Sequence, residues 1–91
     1  MQEDEGTGVV MRTVEFKMER PGLVHTGDTV TVSESKLQTL QGVMYYYTIE
    51  PALAMSNNIP ARSRLNVDTG TVTEVRETES ASFVTVEFIT T

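Results

Sequence analysis

The sequence contains no cysteine, which removes disulfide restriction of the unfolded chain, a thiolate nucleophile and any cysteine-based zinc or iron–sulfur site. Histidine is almost as scarce. His25 is the only one, so a dedicated zinc site lacks ligands, and a nucleophilic triad would have to be built on that ring. No Gly-x-Ser-x-Gly elbow is present to set a serine beside it. The glycines are isolated, none opens a helix followed by Lys-Ser or Lys-Thr, and there is no Asp-x-Asp-x-Asp-Gly loop for calcium. The sequence therefore gives no catalytic residue, no cofactor site and no metal ligand set to expect, and the chain reads as a non-enzyme.

Long apolar runs are missing too. The longest, Val43 to Ile49, is interrupted by tyrosines and Thr48 and falls far short of the roughly 20 residues that span a bilayer. Residues 1–8, Met1-Gln2-Glu3-Asp4-Glu5-Gly6-Thr7-Gly8, are acidic where a secretion signal needs basic residues and then an apolar stretch. These features lead to the expectation of a soluble cytoplasmic protein without a membrane partner.

Positive charge is in short supply: thirteen acidic residues stand against seven basic ones, a net charge of −6. The average field repels polyanions, which disfavours nucleic acid and anionic membranes as partners. Only Arg62-Ser63-Arg64 forms even a loose cationic cluster, and Glu74, Glu77 and Glu79 read as a solvated face.

What is present is alternation. Ninety-one residues make one domain with a modest core, expected over residues 9–91 behind a disordered acidic tail at 1–8. Thr13 to Met18 alternates strictly, placing Val14, Phe16 and Met18 on one face. Pro21-Gly22 has the chemistry of a type II turn, and after Thr26-Gly27-Asp28 the run Thr29-Val30-Thr31-Val32 alternates again. Ser35-Lys36-Leu37-Gln38 has capping-box spacing and predicts a turn or two of helix within Ser33 to Gln41. The strand at Val43 to Ile49 groups Val43, Tyr45, Tyr47 and Ile49 together, with Met44, Tyr46 and Thr48 opposite.

Pro51 fits the first position of a helix, and Ala52 to Met55 are good helix formers, so a short helix is expected over Pro51–Ser56. The last third reads as a hairpin with a polar turn near Glu77 to Ser82. Val72 and Val75 are three residues apart and can both face inward only across a bulge. The fold class is thus mostly β: a small bent antiparallel sheet or partly open five- to six-stranded barrel with one short helix. Its expected core is Val14, Phe16, Met18, Val30, Val32, Tyr45, Tyr47, Ile49, Leu53, Leu65, Val72, Val84, Val86 and Phe88.

The segments Gly27-Asp28-Thr29-Val30-Thr31-Val32 and Gly70-Thr71-Val72-Thr73-Glu74-Val75 resemble pieces of small Src-homology-type barrels and of the ribosomal KOW module. The resemblance covers about a dozen residues. It implies a small-barrel architecture and carries over no functional residue, because KOW pieces lie close together in sequence and RNA-binding members are not acidic. Separately, Val67-Asp68-Thr69-Gly70 is similar to the Asp-Thr-Gly of aspartic proteases. Too little chain follows for the rest of that fold, and the local reading is an ordinary turn.

Because strand periodicity must point one of Tyr45, Tyr46 and Tyr47 away from the other two, Tyr46 is expected outside with Met44. The functional reading is a non-catalytic protein-binding or assembly module whose partner is another protein or a second copy. Its candidate surface is Met44, Tyr46, Arg62 and Arg64. The alternative is a nucleic-acid or ribosome-associated barrel using Arg62, Arg64 and an exposed tyrosine. A third is an enzyme with an unrecognised site at Asp68, His25 or Asp28.

Overall fold

The computed structural model describes residues 10–90, with only the backbone of Val10; the acidic tail expected at 1–8 lies outside the described residues. Seven strands form one sheet: β1 (Val10–Met18), β2 (Thr29–Thr39), β3 (Gly42–Ile49), β4 (Ala54–Ser56), β5 (Ile59–Pro60), β6 (Thr69–Glu77) and β7 (Ser82–Thr90). Neighbours run in the order β2-β6-β7-β1-β4-β3, and β3 pairs back onto β2, so the ring closes as an antiparallel barrel. The short β5 lies on the edge of β3 opposite to β2, where Met44 faces Pro60 and Tyr45 faces Ile59.

Alternation fills this barrel. Val14, Phe16 and Met18 from β1, Val30 and Val32 from β2, Tyr45, Tyr47 and Ile49 from β3, Val72 from β6 and Val84, Val86 and Phe88 from β7 are all buried. Phe16 and Phe88 are both fully buried, with ring centroids 6.5 Å apart. Leu65 is buried as expected, whereas Leu53 is only partly so. Val24 and Ala54 are buried as well, and the sequence pattern does not flag them because each stands in a turn or a three-residue strand too short to show a period.

The pairing of β6 with β7 shifts register between Val72 and Glu74. That bulge lets Val72 and Val75 both pack against the core, as their spacing requires, and bends the strand into the closing wall. Gly70 explains itself by crowding: a Cβ there would lie 2.7 Å from Val86 Cγ1 and 2.8 Å from both the Glu87 carbonyl and Phe88 Cδ1. Only glycine lets β6 cross β7 this closely. Gly70 also pairs with Val30, so the two glycine-valine segments singled out in the sequence lie side by side in the barrel wall.

Two helix expectations are corrected. Pro51–Ser56 is a tight turn followed by β4. Leu53 N–H donates to the Ile49 carbonyl, Ala52 takes a positive φ of 59° that no right-handed helix admits, and Ala54 is buried between β1 and β3. Four helix formers in a row are too few to outweigh that packing. Ser33–Gln41 is likewise no helix, since β2 runs to Thr39 and its residues pair one by one with β3. The single helical turn of the described residues is the 3-10 turn Ala61–Ser63.

Candidate binding arm

β2 pairs with β6 only over Thr29 to Thr31, but with β3 from Val32 to Thr39. The distal part of the β2–β3 hairpin therefore extends from the barrel as an arm, with β5 added to its β3 edge at Met44 and Tyr45. Thr39 closes its tip: the hydroxyl donates to the Gly42 carbonyl at 2.7 Å and accepts the Gln41 N–H at 3.2 Å. Gly42 adopts φ 115°, a region other residues rarely enter, and Leu40 at the apex is wholly exposed. At the base of the arm, the Ser33 hydroxyl donates to the Glu50 carboxylate.

The inner face continues the row of Val30 and Val32 with Glu34, Lys36 and Gln38, opposite Tyr47, Tyr45 and Val43. Over it crosses the segment joining β5 to β6. Arg64 donates from Nε to Glu34 Oε2 and from a terminal nitrogen to Oε1, both at 2.8 Å. Its guanidinium also lies 4.6 Å from the centroid of the Tyr45 ring, within cation–π range. The Tyr47 hydroxyl donates to Glu34 Oε2 and accepts the Leu65 N–H, each at 2.8 Å. These contacts hold the crossing segment down, with Leu65 buried in the core.

The electrostatics follow from those contacts. The Arg64 hydrogen bonds hold the Glu34 carboxyl below its ordinary range, against the opposing effect of its partial burial, and the Tyr47 hydrogen bond acts in the same direction. Burial, reinforced by the bond to Glu34, pushes the Tyr47 phenol up. Glu34 in turn raises Arg64 further above its already high value.

The outer face of the arm is different. Leu37 faces Met44, Ser35 faces Tyr46, and Met44 meets Pro60 on its other side. Met44 and Tyr46 are half-buried, and Leu37 is exposed. The structure thus brings Met44 and Tyr46 together on the outer face and puts Arg64 on the inner one. Arg62 is exposed in the 3-10 turn two residues before Arg64, with no ion pair among the described residues. The four candidates do not form one continuous patch. Leu37, Leu40 and Glu34 belong to the arm and were hidden in the sequence by the capping-box spacing of Ser35 to Gln38. The apolar alternation of Thr29 to Val32 does not continue, because Glu34, Lys36 and Gln38 take the inner positions and Leu37 stands on the opposite face, so no sequence period marks the arm.

The other sequence candidates lie elsewhere. Asp68 is exposed, accepts the Thr69 hydroxyl at 3.2 Å, and lends its carbonyl to the Val32 N–H. His25 is exposed, and its backbone N–H donates to Asp28 Oδ2 at 2.8 Å in a local turn. Among the described residues no group of three or more His, Asp or Glu is placed to hold a metal, and no helix is long and apolar enough to cross a membrane.

The fold and site together define a closed antiparallel barrel with a latched hairpin arm. No protein-family model, curated protein or solved structure matches the chain.

Proposed function

We propose that the chain is a non-catalytic protein-binding module that presents the outer face of its β2–β3 arm to a partner protein. The observation that carries this reading is the adjacency of Leu37, Met44 and Tyr46 on a face the barrel does not use. Burying them adds nothing to the core, and apolar side chains gathered on one outward face are what a protein contact employs. The resemblance of Gly27 to Val32 and Gly70 to Val75 to Src-homology-type barrels fits a binding role and contributes no contact residue.

The test is a photo-crosslinking phenylalanine analogue, which keeps an aromatic ring at the position, placed in native cells at Tyr46, with Glu87 on the outer barrel wall as the control position. Crosslinked protein products at 46 and none at 87 support the reading. Equal products at both positions, or none at 46, contradict it.

One observation favours a nucleic-acid reading: residues 35–49 and 51–67 contain no acid, although they hold Lys36, Arg62 and Arg64. Against it, Glu34 already occupies the Arg64 guanidinium through both of its oxygens. Salt-sensitive binding of a single-stranded oligonucleotide, lost with Arg62→Ala, would favour nucleic acid over protein.

A further inference from the structure

Backbone direction along β2 exposes a second feature of the arm. Glu50 N–H donates to the Thr31 carbonyl and Val32 N–H to the Asp68 carbonyl, so odd-numbered residues of β2 aim their peptide groups at β3 and even-numbered ones aim away. On that outer edge β6 lies beside Thr29 to Thr31, and Asp68 occupies Val32. There the neighbouring chain leaves. The N–H and C=O groups of Glu34, Lys36 and Gln38 continue along the same edge with no strand beside them among the described residues. A row of alternating donors and acceptors at this spacing is matched by the backbone of another extended chain.

Charge narrows the occupant. The Glu34 carboxylate is spent on Arg64, and no other acid occurs from Ser35 to Ile49 or from Pro51 to Val67. Lys36 stands in the middle of this edge strand with its side chain on the inner face and no ion pair among the described residues, whereas Arg62 lies away from it on the β5 side. The unpaired charge between Ser33 and Thr39 is therefore positive. A second copy fits it poorly: the antiparallel register that would use Glu34, Lys36 and Gln38 on both sides sets Lys36 against Lys36, and like charges directly opposed destabilise a strand pair.

We propose that the free edge of β2 from Glu34 to Gln38 accepts an extended acidic segment of a partner protein as an added strand. The incoming strand takes up the line that Asp68 abandons, pairs its peptide groups with those of Glu34, Lys36 and Gln38, and sets a carboxylate against Lys36. This deepens the reading of the arm as the binding element, using its edge where that reading uses its outer face.

The experiment uses isotope-labelled protein, titrated with an octapeptide of alternating valine and glutamate and, in parallel, one of alternating valine and lysine. The glutamate peptide is expected to shift the amide resonances of Glu34, Lys36 and Gln38 and to slow their hydrogen exchange about tenfold, while the lysine peptide leaves them unchanged. Gln38→Pro removes an N–H from the open edge without touching the ladder to β3 and abolishes the effect. Lys36→Glu, which keeps every backbone group, weakens glutamate-peptide binding about tenfold or more and admits the lysine peptide. The proposal is overturned by equal response to both peptides, by shifts confined to residues outside Ser33 to Thr39, or by no response at all. Protection of the same amides in concentrated protein without peptide overturns it too, in favour of a second copy. Should the peptide fail while Tyr46 still yields crosslinks, strand addition falls and the outer-face reading stands; peptide binding without crosslinks gives the reverse.

Discussion

Arg64 reaches Glu34, thirty residues away in sequence, and binds both carboxylate oxygens with its own planar fork. Through this pair the segment that follows β5 is tied across the inner face of the arm, and the Tyr47 hydroxyl joins it to the Leu65 N–H. The latch therefore couples the inner face of the arm to Leu65 in the barrel core.

The latch is expected to titrate at both ends of the pH scale. Glu34 is lowered in the fold, chiefly by Arg64, so its contribution is complete above the unfolded carboxyl range and is lost as pH falls through the folded value. Tyr47 is raised, chiefly by burial. Its contribution is complete below the unfolded phenol value near 10 and is lost as pH rises through the folded one. Melting temperatures recorded against pH should fall on both sides, and Glu34→Gln should flatten the acid side relative to the parent protein. An unaltered acid limb in that variant would remove Glu34 from the account.

Tyr47→Phe deletes one hydroxyl and leaves the buried Leu65 N–H without its acceptor. Such an orphaned donor costs about 1 to 3 kcal/mol, measurable as a lower urea midpoint at unchanged slope. A midpoint equal to that of the parent would mean that Leu65 finds another acceptor.

Gly70→Ala is expected to destabilise by about 1 to 3 kcal/mol or more, because the added methyl meets Val86, Phe88 and the unyielding Glu87 carbonyl at once. Denaturant unfolding measures it. Asp68→Asn, in the same Asp-Thr-Gly run, changes an exposed side chain and should stay within about 0.5 kcal/mol of the parent. The opposite ranking would return chemical interest to Asp68.

Much of the barrel was legible because its strands bury one face: Val14, Phe16, Met18, Val84, Val86 and Phe88 announce themselves by period. Even the bulge could be read, from two valines three residues apart. What misled was local chemistry in segments whose shape is set from outside. Ser35 to Gln38 spell a helix start, yet side-by-side pairing with Gly42 to Ile49 holds them extended. Pro51 to Met55 spell a helix, yet Ala54 is needed between β1 and β3. The outward position of Tyr46 followed from alternation alone. The occupation of Arg64 by Glu34 did not, since no pattern links residues so far apart until the crossing segment is in place.

The most direct measurement compares Tyr46→Ala with Tyr47→Ala, each melted and each carrying the photo-crosslinking residue at Leu40. Tyr46→Ala is expected to remain within about 1 kcal/mol of the parent, as outward changes usually do, while losing most crosslinked partner. Tyr47→Ala, which empties a buried site, should lose about 3 to 5 kcal/mol. A Tyr46→Ala protein that unfolds, or one that stays folded and captures partner as well as the parent does, would contradict the claim that the arm binds through its outer face.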